Sequence, residues 1–115
     1  MVDLNERVYG ILKALPGVYV SHNYPESISG YNDAVIFDVS ANGAYYYDET
    51  VYADRFIVKA DILAGSWETC GAIYTRLRTL LENNGLIFVS RVDAGVDAKH
   101  DRVKITVKFK GLDMG

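Results

Sequence analysis

The sequence predicts an α+β protein, an antiparallel or mixed β-sheet with two helices packed on one face, in the order α-β-β-β-α-β-β. Two segments repeat their apolar residues at spacings of three and four, while the segments between and after them alternate apolar and polar residues. Most strands are separated by short turn-rich stretches rather than by helices, which favours hairpins over parallel crossovers. A chain of 115 residues makes one domain, 1–115, long enough to bury a modest core.

The first helix starts beside Asp3, a good capping residue, and carries Leu4, Val8, Ile11, Leu12 and Leu15. On a 3.6-residue period these cover an arc of roughly 100°, the width of a stripe facing a core. Pro16-Gly17 ends it, since proline lacks the amide donor and clashes with the preceding turn. A short strand follows from Val18 to Asn23, then a turn-rich loop from Tyr24 to Asp33. In the second strand Val35, Phe37 and Val39 share one face, and Asp38 and Ser40 the other.

Asn42-Gly43 is a turn signal that either closes a tight hairpin or opens a longer excursion. The run Tyr45-Tyr46-Tyr47 comes next, with Asp48-Glu49-Thr50 as a second turn candidate. From Val51 to Leu63 the alternation is long enough to cross a whole sheet.

Ala64-Gly65-Ser66 breaks that strand, and Ser66 suits the N-cap of a second helix. Its apolar stripe reads Trp67, Cys70, Ile73, Tyr74, Leu77, Leu80 and Leu81, and Asn83-Asn84-Gly85 supplies left-handed residues to close it. A fourth strand is expected from Leu86 to Arg91, and a polar, mobile loop from Val92 to Asp101. The last strand, Arg102 to Lys110, sets Val103, Ile105, Val107 and Phe109 against Arg102, Lys104, Thr106, Lys108 and Lys110. It is a strand with one buried face.

Half of the residues are hydrophobic and the net charge is −3, an ordinary globular composition that is not built as a whole for phosphate backbones. The single cysteine, Cys70, excludes an intrachain disulfide framework and suits a reducing compartment. The first residues lack the basic head and apolar run of a signal peptide, and no apolar segment approaches the roughly 20 residues that span a bilayer. A cytosolic chain without membrane contact is expected.

No catalytic, cofactor-binding or metal-binding residue is assigned. His22 and His100 lie far apart, and neither has a cysteine or carboxylate pair at ligand spacing. Cys70 falls on the helix stripe, where cysteine acts as a small hydrophobe. Gly65 and Gly71 fit neither a P-loop nor a dinucleotide fingerprint. The chain is expected not to be an enzyme.

Two surfaces stand out instead. Arg102, Lys104, Lys108 and Lys110 put positive charge on one face of the last strand, a candidate for weak, nonspecific contact with DNA. The plainer alternative is a solvated face whose lysines discourage edge-to-edge aggregation. Tyr45, Tyr46, Tyr47 and Tyr52, four of the nine tyrosines, fall within eight residues. Successive strand residues point to opposite faces, so three consecutive tyrosines cannot all enter one core. Tyrosine buries its ring while its hydroxyl stays hydrogen-bonded, which suits a subunit interface. The alternatives are a hairpin of cross-strand aromatic pairs and a ligand pocket.

An N-terminal amphipathic helix, the Tyr24-to-Ser27 loop, the element "YYYDETVY", the strand "FIVKADILAG", a helix opening on Ser-Trp-Glu and ending at "LLENNGL", and a final pair of strands follow in that order. Over nearly the whole chain this order resembles the small tail completion, or tail terminator, proteins of long-tailed bacteriophages and prophages. The resemblance implies a structural virion protein of the tail and neck, assembled in the host bacterial cytoplasm. It implies a ring, typically a hexamer, that caps the head-proximal end of the tail tube and joins it to the head connector. Its partners would be further copies of itself, the tail tube protein and the head connector protein, with a monomer in dilute solution. The longer polar loop from Val92 to Asp101 departs from the family's pattern, so docking surfaces are not carried over. The competing expectation is a small α+β ligand-binding or regulatory module that uses the open sheet face.

Overall fold

The computed structural model describes residues 4–23, 33–47, 50–97 and 101–113, with backbone alone at 41–47, 50–54 and 112–113. The expected cap Asp3, nearly all of the loop from Tyr24 to Asp33, the turn residues Asp48 and Glu49, and His100 lie outside the described residues. The elements are α1 (Leu4–Leu12), β1 (Tyr19–His22), β2 (Ala34–Tyr47), β3 (Thr50–Ala64), α2 (Trp67–Asn83), β4 (Ile87–Asp97) and β5 (Arg102–Asp113). Their order is the predicted one, and the class is α+β.

Helix α1 stops at Leu12, earlier than Pro16 requires. The chain tightens there, with Leu15 N–H donating to the Leu12 carbonyl at 3.0 Å, and Gly17 takes φ +69° to turn into β1. Leu15 is still buried, so the apolar stripe outlasts the helix. At the start of α2, Thr69 N–H donates to Ser66 Oγ at 3.2 Å, the capping bond expected of that serine. Its end differs from the expectation in one respect. Asn84 is not left-handed (φ −99°), and Gly85 alone takes the positive φ, +87°. Leu86 N–H then reaches back to the Leu81 carbonyl at 3.1 Å, the wrapped ending that glycine permits.

The sheet is mixed, in the order β1-β2-β3-β5-β4. Strand β1 runs parallel to β2, and every other neighbouring pair is antiparallel. Strand β5 is thereby inserted between β3 and β4, the two strands that α2 connects. Both helices contribute to one core against the same sheet face. Val8 and Leu12 of α1 and Cys70, Ile73, Leu77 and Leu81 of α2 join Val35, Phe37, Phe56, Val58, Ala60, Ile62, Ile105, Val107 and Phe109. Trp67 does not join them. It lies at the first position of α2 and is 45% exposed, so the helical stripe begins at Cys70.

Cys70 shows what that core does to a polar group. Its thiol donates to the Ile62 carbonyl at 3.2 Å and has no exposure to solvent. Burial pushes it from 9.0 up to about 11. The folded state therefore keeps a proton that the unfolded chain releases, so stability present below pH 9 drains away as pH rises toward 11. Urea titrations between those limits should show the parent losing on the order of 2 kcal/mol more than Cys70→Ala. Parallel pH profiles for the two proteins would refute it.

Two expectations about connections need correction. Asn42-Gly43 makes no turn. The β2–β3 register runs from Ala34 opposite Leu63 to Tyr47 opposite Thr50, with an irregularity between Ala41 and Gly43. Asn42 is absorbed as a bulge in a strand whose partner continues past it. The stretch from Val92 to Asp101 is not a loop over most of its length either. It is strand as far as Asp97, pairing Val92 with Thr106 and Asp97 with Arg102. Gly95, at φ +88° beside a register shift, lets this strand bend.

Candidate functional site

The described structure offers two candidate surfaces, a hairpin arm and the sheet face turned away from both helices. The arm arises from unequal strand lengths. Strand β3 has 15 residues, a run of about 50 Å at 3.3 Å per residue, close to the molecule's longest extent of 51 Å. Its flanking strands are shorter. The last β3–β5 pair is Asp54 with Asp113, and the last β1–β2 pair is His22 with Phe37. Past those points β2 and β3 continue as a two-stranded ribbon, with Tyr45 opposite Ala53, Tyr46 opposite Val51 and Tyr47 opposite Thr50. Tyr52 falls in the irregularity between the first two of these pairs and has no direct cross-strand partner.

All four tyrosines of the candidate interface therefore lie on this arm. Their side chains are outside the described ones. A two-stranded ribbon is marginal in water on its own, and it gains stability from a third strand or a packed face. Among the described residues, no third strand pairs with its last rungs.

The second surface is the sheet face turned away from both helices. Because Val103, Ile105, Val107 and Phe109 enter the core, the alternating Arg102, Lys104, Thr106, Lys108 and Lys110 take the opposite face. The candidate DNA-facing residues thus sit together, as their spacing predicts. Register adds to them a residue from a distant part of the sequence. Lys59 of β3 lies directly opposite Lys108, and Lys110 lies opposite Ile57. Like charges facing each other across a strand pair are destabilising.

Among the described side chains of this face, Arg55, Lys59, Arg102, Lys104, Lys108 and Lys110 outnumber Asp38, Asp61 and Asp97. The chain as a whole has a net charge of −3, so the acidic excess lies elsewhere. One carboxylate of this face is largely sealed. Asp61 is 9% exposed and accepts a hydrogen bond from Thr106 Oγ1 at 2.8 Å. Ala34, Ile36 and Leu63 form a small apolar cluster on the same side, with Tyr19 packed against it.

His22 sits at the margin of the sheet. Its ring lies 5.3 Å from that of Phe37, and Nε2 is 3.4 Å from Asp38 Oδ1. Among the described residues, no three His, Cys, Asp or Glu side chains form a group able to hold a metal ion. No described helix is long and apolar enough to cross a membrane. Lys59 joins the basic face, and β4 ends the sheet among the described residues, through strand order and register rather than through any local pattern. Lys59 alternates visibly with Val58 and Ala60, but only the β3–β5 register brings it to Lys108. The chain matches no family model, and no curated protein matches it.

Proposed function

We propose that this chain is a structural subunit that caps the head-proximal end of a phage tail tube as an oligomeric ring and joins it to the head connector. The observation that supports this reading best is the arm. It sends Tyr45, Tyr46, Tyr47 and Tyr52 beyond the strands that could brace it, on a ribbon that gains stability by packing against something else. A ring requires one patch of each copy to meet a different patch of the next, and a projecting aromatic arm is suited to be one of the two. The basic sheet face fits the same reading. Facing a lumen, it would attract passing DNA through charge alone, weakly and without sequence preference.

The test uses tail tubes from the phage or prophage that encodes the chain, viewed by negative-stain electron microscopy after addition of purified protein. The parent is expected to form rings at one tube end and to copurify with the tube protein. Tyr46→Ser combined with Tyr47→Ser is expected to abolish both while leaving the monomer folded. Bare tube ends with the parent protein, or undiminished rings with the double variant, would count against the assignment.

A further inference from the structure

We propose that the outer edge of β4 pairs with β4 of a second copy, antiparallel about a two-fold axis through Val92, joining two five-stranded sheets into one. The pairing uses a surface other than the tyrosine arm and stands without the ring reading.

Strand β4 ends the sheet order, and among the described residues nothing pairs with its outer side. Such an edge presents free amide and carbonyl groups, and proteins ordinarily protect it with charge, proline or brevity. This one is 11 residues long and contains no proline; its charges are Arg91, Asp93 and Asp97, and it exposes Ile87, Val89, Val92 and Val96 by between 47% and 69%. Its register shifts lie between Phe88 and Ser90 and between Asp93 and Gly95, leaving Ser90 to Asp93 as the regular stretch where a second strand can lie flat.

Charge selects the occupant and its register. Arg91 and Asp93 lie on the helix-bearing side, opposite Val107 and Ile105, and Val92 lies on the other side, opposite Thr106. Directly opposed residues of an antiparallel pair share a face, so a two-fold axis must pass through a residue of this stretch. An axis through Arg91 sets arginine against arginine, one through Asp93 sets aspartate against aspartate, and one through Ser90 sets Arg91 against Val89 in the register shift, without a charge to meet it. An axis through Val92 sets each Arg91 against the other copy's Asp93 and brings the two valines together. Within each copy the Arg91 guanidinium lies 4.4 Å from the Tyr74 ring centre and its Nε 2.8 Å from Asp93 Oδ1, so both charges are fixed on the helix-bearing side of the strand. The contact is closed, so it covers the edge in both copies without propagating. Its few regular rungs place it among small, concentration-dependent interfaces, monomeric on dilution.

The test is sedimentation velocity of the full chain over a wide concentration range. The parent should pass from monomer to dimer. Arg91→Asp faces acid with acid and Asp93→Arg faces base with base, so each variant alone should self-associate at least about tenfold more weakly. An equimolar mixture of the two restores both cross-copy pairs, while the ion pair within each chain stays broken. The mixture should dimerise as the parent does. A parent that stays monomeric at every concentration, single variants that still dimerise, or a mixture that remains monomeric would each overturn the proposal. Thermal unfolding of each variant confirms that it is folded.

Discussion

Gly111→Ala should lower the stability of the fold by about 1–3 kcal/mol, the range expected when a methyl group is forced into a closed core. Gly111 lies directly opposite Phe56 across the β3–β5 pair. A Cβ built on it would come within 2.5 Å of Phe56 Cζ and 2.9 Å of Cε1, distances that real Cβ atoms do not tolerate. The aromatic ring lies over the bare glycine backbone, an arrangement that compensates a strand for a residue with no side chain of its own. The ring has little room to retreat, because Phe56 is 1% exposed and part of the main core. Chemical denaturation of Gly111→Ala, Phe56→Leu and the double variant would measure the coupling. The double variant should lose less than the sum of the single ones, since leucine leaves the space the new methyl needs. A Gly111→Ala protein as stable as the parent would mean that the ring moves aside freely.

Phe109→Ala should cost more, about 3–5 kcal/mol. Phe109 is completely buried and lies between Val58 of β3 and Phe88 of β4 in the sheet register. It meets the Phe88 ring nearly edge-on, with centroids 5.6 Å apart, and Phe88 in turn meets Tyr74 of α2 at 6.4 Å. Arg78 closes the stack with its guanidinium 4.1 Å from the Phe88 ring centre. Removing Phe109 therefore opens a cavity and unseats the contact between α2 and the outer strand. Domains are typically stable by only about 5–15 kcal/mol, so this one truncation could consume a large share of the total. Phe109→Leu, which fills most of the volume, should cost under about 1.5 kcal/mol. Equal losses for the two variants would show that the edge-on contacts, rather than the filled volume, carry the effect.

Helix α2 and strand β5 could be read nearly residue by residue, because each announces itself within a dozen neighbours. The Ser66 cap, the Cys70-to-Leu81 stripe and the Val103-to-Phe109 alternation are local patterns of burial. Trp67 belongs to the helical period and yet lies exposed at the first position of α2, where the buried stripe starts one turn later, at Cys70. Asn42-Gly43 misled for the opposite reason. A turn signal states what the backbone can do, and the long partner β3 holds it in a strand instead. In β4 the stretch from Val92 to Asp97 carries two aspartates, an alanine and a glycine beside its two valines, and its extended form comes from hydrogen bonding to β5.

The two candidate surfaces divide along the same line. The clustering of four tyrosines and the lysine-bearing face of β5 were visible in the chain, since both are features of neighbouring residues. That the tyrosines occupy an arm outrunning β5 and β1, that Lys59 meets Lys108, and that β4 ends the sheet among the described residues all depend on strand order and register. Those are set by which distant segments pack most closely around a shared core, through contacts between residues as far apart as Lys59 and Lys108. Amphipathic period names an element and its inward face. Which strand lies beside it, and where that neighbour ends, is decided only when the whole core closes.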